Sequence, residues 1–144
     1  MKPLIVEFEV DAGIDHAFAM WTERTAMWWP RTHAMSGPNL ASITFEARPG
    51  GRIFERAADG DEHEWGEVIE WEPPSRVSYL WHVFFDRSEA TEVDVTFAAT
   101  EAGTRIRIEQ TGFERLGEAG APRRERTEMS WSVVVDAFRA GLAD

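Results

Sequence analysis

A long segment free of helix breakers near the C-terminal end constrains the fold of this chain more than any other feature. Pro122 opens the segment, and no further breaker occurs before Gly141. Side chains suited to a buried stripe recur there at three- and four-residue spacing: Thr127, Trp131, Val134, Phe138 and Leu142. The spacing predicts an amphipathic helix over 123–143, about 20 residues or roughly 30 Å long. Such a helix needs a broad apolar surface to cover its stripe.

The N-terminal part of the chain predicts one strand and two short helices. Apolar and acidic residues alternate over 4–10, which indicates a half-buried strand. Helical spacing follows over 13–22, with Asp15 in the first turn, where the helix dipole favours an acid. A second short helix is predicted over 25–29 and ends at Pro30, and 31–40 is expected to be a loop.

Six further strands are predicted between residues 41 and 111, at 41–47, 52–56, 64–71, 76–85, 91–98 and 104–111. Turn signals separate them, among them Asp59-Gly60, which tolerates the positive φ of a hairpin turn. The segment 76–85 is almost continuously apolar, which indicates a strand covered on both faces. The acids of 91–98 are expected to face outward beside Arg105 and Arg107.

This order of elements predicts an α+β fold. The economical arrangement is a curved, antiparallel, seven-stranded sheet wrapped around the long C-terminal helix, with the two short helices after the first strand. A sheet and helix in this arrangement can leave a cavity between them. The length of 144 residues suits one domain spanning the whole chain.

Composition excludes several classes of function. The chain has 26 acidic residues against 15 Lys and Arg, a formal charge of −11, which argues against binding nucleic acid or anionic membrane surfaces. It has no cysteine, so disulfides and thiolate metal sites are excluded. We find no signal-peptide core, no apolar run long enough to span a bilayer, and no phosphate or dinucleotide loop. The expectation is a cytoplasmic protein without cofactor or metal.

The ordered set of short motifs resembles the helix-grip fold of the START/SRPBCC superfamily. More narrowly, the chain is similar to bacterial single-domain proteins related to the activator of the heat-shock-protein-90 ATPase (Aha-type). The matching pieces run through nearly the whole chain: Ala17-Phe18, Trp28-Trp29-Pro30, Pro49-Gly50-Gly51-Arg52, Asp59-Gly60, Gly66-Glu67-Val68, Glu72-Pro73-Pro74, Arg76-Val77, Trp81, Thr91-Glu92-Val93, Gly103-Thr104, Thr111-Gly112-Phe113 and Trp131. The chain departs from the family at Gln110, where members often have His, and at Ser130, where they often have Gly.

The resemblance implies three kinds of function, because family members bind hydrophobic molecules, act as cyclases or related enzymes, or interact with a chaperone. Our first hypothesis is the binding or carriage of a small aromatic or lipid-like molecule in the cavity between sheet and helix. A chaperone-interaction module would instead show an exposed acidic or apolar patch and a small, dry interior. A cofactor-free cyclase or hydrolase would show a cavity carboxylate or His with a shifted pKa. No catalytic residue is assigned.

Candidate ligand-binding residues come mainly from the seven Trp of the chain. We expect Trp21 and Trp71 to be packing residues, whereas the orientation of Trp65 is open because Gly66 and Val68 could point inward instead. The predicted ligand-binding set is Trp28, Trp29, His33, Phe54, Trp65, Trp81, Gln110, Trp131, Val134 and Phe138.

The remaining titratable residues have less specific interpretations. His16 and His63 are expected to be solvated and His82 to be buried on a strand. Seven acids between Asp59 and Glu72 form either a solvated hairpin face or a surface for a basic protein partner. The cluster Arg123, Arg124 and Arg126 either pairs with Glu118 or Glu125 or attracts an anionic ligand group. An exposed sheet edge would allow a homodimer, but a monomer fits equally well.

Overall fold

The computed structural model describes residues 1–143, which form seven strands and three α-helices. The strands are β1 Leu4–Val10, β2 Leu40–Phe45, β3 Arg52–Ala57, β4 Glu62–Glu72, β5 Arg76–Trp81, β6 Thr91–Ala99 and β7 Thr104–Thr111. The helices are α1 Ile14–Thr22, α2 Thr25–Trp28 and α3 Gly120–Ala143. Short 3-10 turns occupy Arg31–His33, Gly37–Asn39, Arg87–Glu89 and Phe113–Ala119.

All seven strands belong to one antiparallel sheet in the order β1-β7-β6-β5-β4-β3-β2. The strands from β2 to β7 pair with their sequence neighbours, and β1 completes the sheet beside β7. Side chains of α3 share a buried apolar core with inward-facing residues of the sheet, so the predicted α+β architecture is confirmed. No helix within residues 1–143 is both long and apolar enough to cross a membrane.

The predicted alternation of β6 and β7 is confirmed, but their charge pairing is not. Every inward position predicted on these strands is buried: Val93, Val95, Phe97, Ile106 and Ile108. The β6–β7 register places uncharged residues opposite Arg105 and Arg107. Their guanidinium groups reach β1 instead, where Arg105 lies 2.8 Å from Glu9 and Arg107 lies 3.5 Å from Glu7. The pairing with acids of β6 is therefore wrong because register, not proximity in sequence, decides the partners.

The strand predicted over 76–85 ends at Trp81, four residues early. The backbone turns there, because the Phe85 N–H donates to the His82 carbonyl at 2.7 Å. Phe84 has a φ of +69°, which an extended strand cannot accommodate. The apolar residues after β5 therefore form a loop at the end of the sheet rather than its doubly covered centre.

A β-bulge at Trp65 settles which residues of β4 face inward. Ile53 pairs with Gly66 and Phe54 with Glu64, so Trp65 is an extra residue opposite β3. The extra residue breaks the strict alternation of inward- and outward-facing side chains. Trp65 and Val68, which the sequence presented as alternatives, therefore both face inward.

Trp65 and Val68 lie three residues apart and are both fully buried. Between them, Gly66 allows the close approach of β5, since a Cβ at this position would lie 1.8 Å from the Leu80 carbonyl oxygen. Only glycine fits this part of the strand without moving the neighbouring backbone.

A buried carboxylate on β3 anchors the loop before β2. The fully buried Glu55 accepts hydrogen bonds from the backbone N–H groups of Met35 (2.6 Å) and Ser36 (2.8 Å), from the Ser36 hydroxyl, and from the Trp65 indole (2.7 Å). Burial alone would raise the pKa of the Glu55 carboxyl, but these hydrogen bonds outweigh it and hold the pKa below its ordinary value. The ionised side chain thus ties the loop to the sheet.

Replacing Glu55 by Gln tests this anchor. The Gln amide would direct an NH2 group at backbone or indole donors, so we expect the free energy of unfolding at neutral pH to fall by about 1–3 kcal/mol. Because the folded-state pKa lies below the unfolded one, the carboxylate's stabilisation is present above the unfolded pKa and is lost as pH falls through the folded value. In urea unfolding at pH about 7 and about 3.5, the variant should lose less stability on acidification than the native protein.

Glu70→Gln is the matched control, because Glu70 is exposed and forms no ion pair within the part of the chain described. Its free energy of unfolding should change by less than about 0.5 kcal/mol. An acid dependence of Glu55→Gln identical to that of the native protein would contradict the anchoring role.

Candidate functional site

A cavity of about 260 Å³ opens between α3 and one end of the sheet. The 3-10 turn after α2, the end of β5 with the loop that follows it, β7 and one face of α3 each supply part of its wall. The thirteen lining residues are Trp29, His33, Trp81, Val83, Phe84, Phe85, Gln110, Arg123, Arg126, Thr127, Ser130, Trp131 and Val134. The α3 members recur every three or four residues, so a single helix face borders the cavity.

The structure brings together six of the ten residues predicted from the sequence as ligand-binding. These six are Trp29, His33, Trp81, Gln110, Trp131 and Val134. The other four, Trp28, Phe54, Trp65 and Phe138, lie outside the lining.

Trp28 and Phe138 belong to the apolar core rather than to the cavity wall. Their rings pack edge to face with centroids 4.9 Å apart, and both contact the ring of Trp21. The Trp28 indole donates to the Met20 carbonyl at 2.7 Å, so its polar atom is satisfied inside the protein. Enclosed rings with no unpaired polar group are core residues, as the sequence predicts for Trp21 itself.

Trp65 and Phe54 lie away from the cavity for different reasons. Trp65 forms a layer behind the wall, with its ring 5.0 Å from Trp29 and 5.4 Å from Trp81. Phe54 does not join the core cluster, and its ring lies 4.3 Å beneath the Arg52 guanidinium, on the face of the sheet opposite the buried Ile53. Strand alternation placed Phe54 outward, where a cation–π contact covers it.

Trp131 connects the core to the cavity. Its ring is 3% exposed and stacks on Trp21 at 6.2 Å, while the same residue lines the cavity. Its indole N–H donates to Gln110 Oε1 at 2.7 Å, and Gln110 Nε2 donates to the Thr91 hydroxyl at 2.8 Å. This chain of hydrogen bonds joins α3, β7 and β6 and fixes the part of the cavity wall that Gln110 and Trp131 form.

The titratable groups of the cavity are two arginines and a histidine. Arg123 is 5% exposed, stacks on the Phe85 ring at 3.7 Å and donates to the Glu89 carbonyl at 2.6 Å. Burial lowers the pKa of its guanidinium, which nevertheless stays charged. Burial also lowers the pKa of His33, which therefore favours its neutral form at pH 7. Arg126 is exposed at the cavity rim.

The predicted pairing of the arginine cluster with Glu118 or Glu125 does not occur within residues 1–143. Arg124 donates instead to the backbone carbonyls of Lys2 and Pro3, at 3.1 and 2.9 Å, and ties α3 to the N-terminus. The other two arginines face the cavity. The sequence indicated the arginine cluster. It did not indicate that the loop after β5 places the Phe85 ring against Arg123, because that contact joins residues far apart in the chain.

Two of the three remaining histidines, His16 and His82, have the expected exposure, whereas His63 is less exposed than expected. His16 is exposed, His63 is half-buried and His82 is buried. His82 Nε2 lies 3.2 Å from a Glu64 oxygen without alignment for a hydrogen bond. None of the three lines the cavity.

The sheet order, the long C-terminal helix and the cavity between them define a helix-grip protein of the START/SRPBCC type. The family model described as activator of Hsp90 ATPase homolog 1-like protein matches residues 11–143, so the chain belongs to this family. No curated protein matches the chain.

Solved structures show the same fold. A structural-genomics protein from Mesorhizobium loti is 21% identical, with a TM-score of 0.74 over 99% of this chain and 97% of that one. A protein from Rhodobacter sphaeroides is 22% identical, with a TM-score of 0.70 over 98% and 92%. Txn09, an anthrahydroquino-gamma-pyrone synthase, is 30% identical, with a TM-score of 0.61 over 85% of this chain and 84% of its own.

Substitution of Trp131 tests its double role. We expect Trp131→Ala to lower the free energy of unfolding by about 3–5 kcal/mol, because a buried ring is removed. Trp131→Phe keeps a ring but leaves the Gln110 oxygen without its indole donor, and should cost about 1–3 kcal/mol. Urea unfolding followed by far-UV circular dichroism measures both. Met129→Ala, at a position 68% exposed on the same helix, should change stability by less than about 0.5 kcal/mol. Unchanged stability of Trp131→Ala would refute the inner position of this side chain.

Proposed function

We propose that the chain binds a small aromatic or lipid-like molecule in the cavity between the sheet and α3. The observation that carries the proposal is the cavity itself, about 260 Å³ with three Trp in its wall. Membership of a family with ligand-binding folds supports it at the coarse level. An apolar lining with a few polar groups is the usual composition of a small-molecule site.

The binding energy would come mainly from burial. The rings of Trp29, Trp81 and Trp131, with Val134, offer apolar surface, and each Å² of ligand surface removed from water contributes about 25 cal/mol. Gln110 already uses one oxygen lone pair and one N–H on its protein partners, which leaves one donor and one acceptor for a ligand. Polar contacts would therefore orient the ligand rather than supply most of its affinity.

Two exposed aromatic side chains at the cavity support an entry route. Phe84 is 54% exposed and Phe85 is 41% exposed, and both line the cavity. The positive φ of Phe84 is a strained conformation for a bulky residue, and such strain is concentrated at functional loops. The loop after β5 is the proposed entrance for an apolar molecule.

The co-chaperone alternative receives less support from this chain. The acidic residues of β4 would form its surface for a basic partner, but several of them already form ion pairs with arginines of this protein. Glu62 pairs with Arg52 and Arg56, and Glu67 pairs with Arg87 at 2.9 Å. Paired acids present a weaker field to a partner than free ones.

A cofactor-free cyclase is the second candidate, and one residue favours it. His33 lines the cavity with a lowered pKa, which leaves a neutral imidazole able to accept a proton from a bound ketone or phenol. The likeness to Txn09, an anthrahydroquino-gamma-pyrone synthase, supports fused-ring aromatic compounds as the substrate class. Under the cyclase hypothesis the substrate binds in the cavity before it reacts, so both candidate functions use the same site.

A paired substitution on α3 tests the proposed site. Ser130→Trp places a large side chain into the cavity, whereas Ser132→Trp makes the same change at an exposed position of the same helix. We expect the neutral dye N-phenyl-1-naphthylamine to bind the native protein and Ser132→Trp equally, and Ser130→Trp at least about tenfold more weakly. Dye fluorescence titration measures affinity, and native mass spectrometry of fresh protein shows any carried molecule.

Failure of the dye to bind the native protein, or equal binding by Ser130→Trp, would contradict the proposal.

The cyclase candidate has its own test. His33→Ala should abolish turnover of an anthrahydroquinone-type aromatic substrate and leave dye affinity within about threefold, while His16→Ala, at an exposed position outside the cavity, should leave both intact. Product analysis by mass spectrometry measures turnover. Turnover that survives in His33→Ala would exclude His33 as the proton acceptor.

A further inference from the structure

The cavity differs in charge from the rest of the molecule. Acids outnumber Lys and Arg by 26 to 15 in the chain, yet the thirteen lining residues include two Arg, one His and no Asp or Glu. In a molecule of formal charge −11, a wall without a carboxylate is a local reversal of sign. A neutral apolar ligand gives no reason for this reversal.

Arg126 has no partner of its own within residues 1–143. It is exposed at the rim, and no carboxylate of the described residues lies within ion-pair distance of its guanidinium. All the other charges of α3's first two turns that face the protein are engaged: Arg123 with Glu89 and Phe85, and Arg124 with the N-terminus. Arg126 is therefore available to a ligand.

Arg123 and Arg126 lie one helical turn apart and repel each other. Burial lowers the pKa of Arg123 most, the charge of the Glu89 carboxylate partly opposes this effect, and the charge of Arg126 lowers the pKa further. The backbone carbonyl of Glu89 accepts one Arg123 N–H at 2.6 Å, whereas the Glu89 carboxylate attracts the guanidinium only from beyond ion-pair distance. An anion beside both groups would relieve this repulsion, and the low dielectric around Arg123 would strengthen its attraction.

Two hydroxyl-bearing side chains of α3 also line the cavity. Thr127 donates its hydroxyl to the Arg123 carbonyl at 2.7 Å, and Ser130 follows one turn later with its side chain in the lining. The three Trp rings lie among the same lining residues, so an apolar wall and a cationic, hydroxyl-bearing group of side chains belong to one cavity. Such a combination of side chains fits an amphipathic molecule.

We infer that the cavity ligand is an organic acid, with an aromatic or aliphatic body against the Trp wall and a carboxylate bound by Arg126 and Arg123. This inference rests on the proposed function and adds the ligand's charge to it. The carboxylate accepts hydrogen bonds from the N–H groups of the two guanidinium groups, and the Ser130 hydroxyl can donate a further hydrogen bond.

A pair of dyes that differ by one anionic group tests the charge. N-phenyl-1-naphthylamine is neutral, and 8-anilinonaphthalene-1-sulfonate carries a sulfonate on the same ring system. We expect the native protein to bind the anionic dye at least about threefold more tightly at low salt, and this preference to shrink as ionic strength rises. Fluorescence titration of the full chain with each dye gives both affinities.

Arg126→Gln is the decisive variant, and Arg24→Gln is its control. Arg24 is exposed, lies outside the cavity lining, and loses the same charge on substitution. We expect Arg126→Gln to weaken the anionic dye about threefold to tenfold and to leave the neutral dye unchanged, because an exposed cation is removed without loss of packing. Arg24→Gln should leave both affinities unchanged.

Competition then separates the two sources of a carboxylate. Displacement of the anionic dye by 1-naphthoate but not by 1-naphthamide would indicate an aromatic acid, and displacement by decanoate but not by decanol would indicate a fatty acid. Either pattern supports the inference.

Equal affinity for the two dyes, or an anionic preference that persists in Arg126→Gln, would overturn the inference while the proposed function stands. Absence of binding by both dyes would overturn the proposed function itself.

Discussion

The hydrogen bond between the Trp131 indole and the Gln110 amide fixes α3 against β7, and the cavity depends on it. Apolar stacking of Trp131 on Trp21 would allow the helix to slide or roll, because dispersion forces have little directionality. The 2.7 Å hydrogen bond to Gln110 prevents this movement of the helix, since breaking it would leave two buried polar atoms unpaired. Gln110 itself donates a hydrogen bond to Thr91, so the position of α3 along the sheet depends on the pairing register of β6 and β7.

The protein divides its aromatic residues between filling space and bordering it. One group surrounds Trp21, where rings of α1, α2, α3 and β6 close the core. A second group, Trp29, Trp65 and Trp81, packs ring against ring near the end of the sheet and leaves room in front of it. The buried Glu55 stabilises this second group by holding the Trp65 indole and the adjacent loop together. Rigid walls of this kind keep a cavity open because they cannot collapse without losing hydrogen bonds.

Predictions from the sequence succeeded where periodicity was regular and failed where one residue changed it. The alternation of β6 and β7 and the three- to four-residue spacing of α3 identified the buried faces, since both periods follow directly from backbone geometry. The bulge at Trp65 and the turn at Phe84 each broke a regular period, so β4's inward residues and the end of β5 were not predictable. Phe54 was misplaced because its aromatic character outweighed the alternation of its strand, in which Ile53 and Glu55 face inward.

The sequence by itself determined the α+β class, the order of the elements, the exclusion of thiol chemistry and the aromatic character of the interior. These depend on composition and local period, which a single chain displays directly. Only the tertiary structure decided which rings border the cavity, which acids meet which arginines, and that Arg123 and Arg126 face the same space as the Trp wall. Each of these depends on strand register and on the depth of α3, and both are set by contacts between residues far apart in the chain.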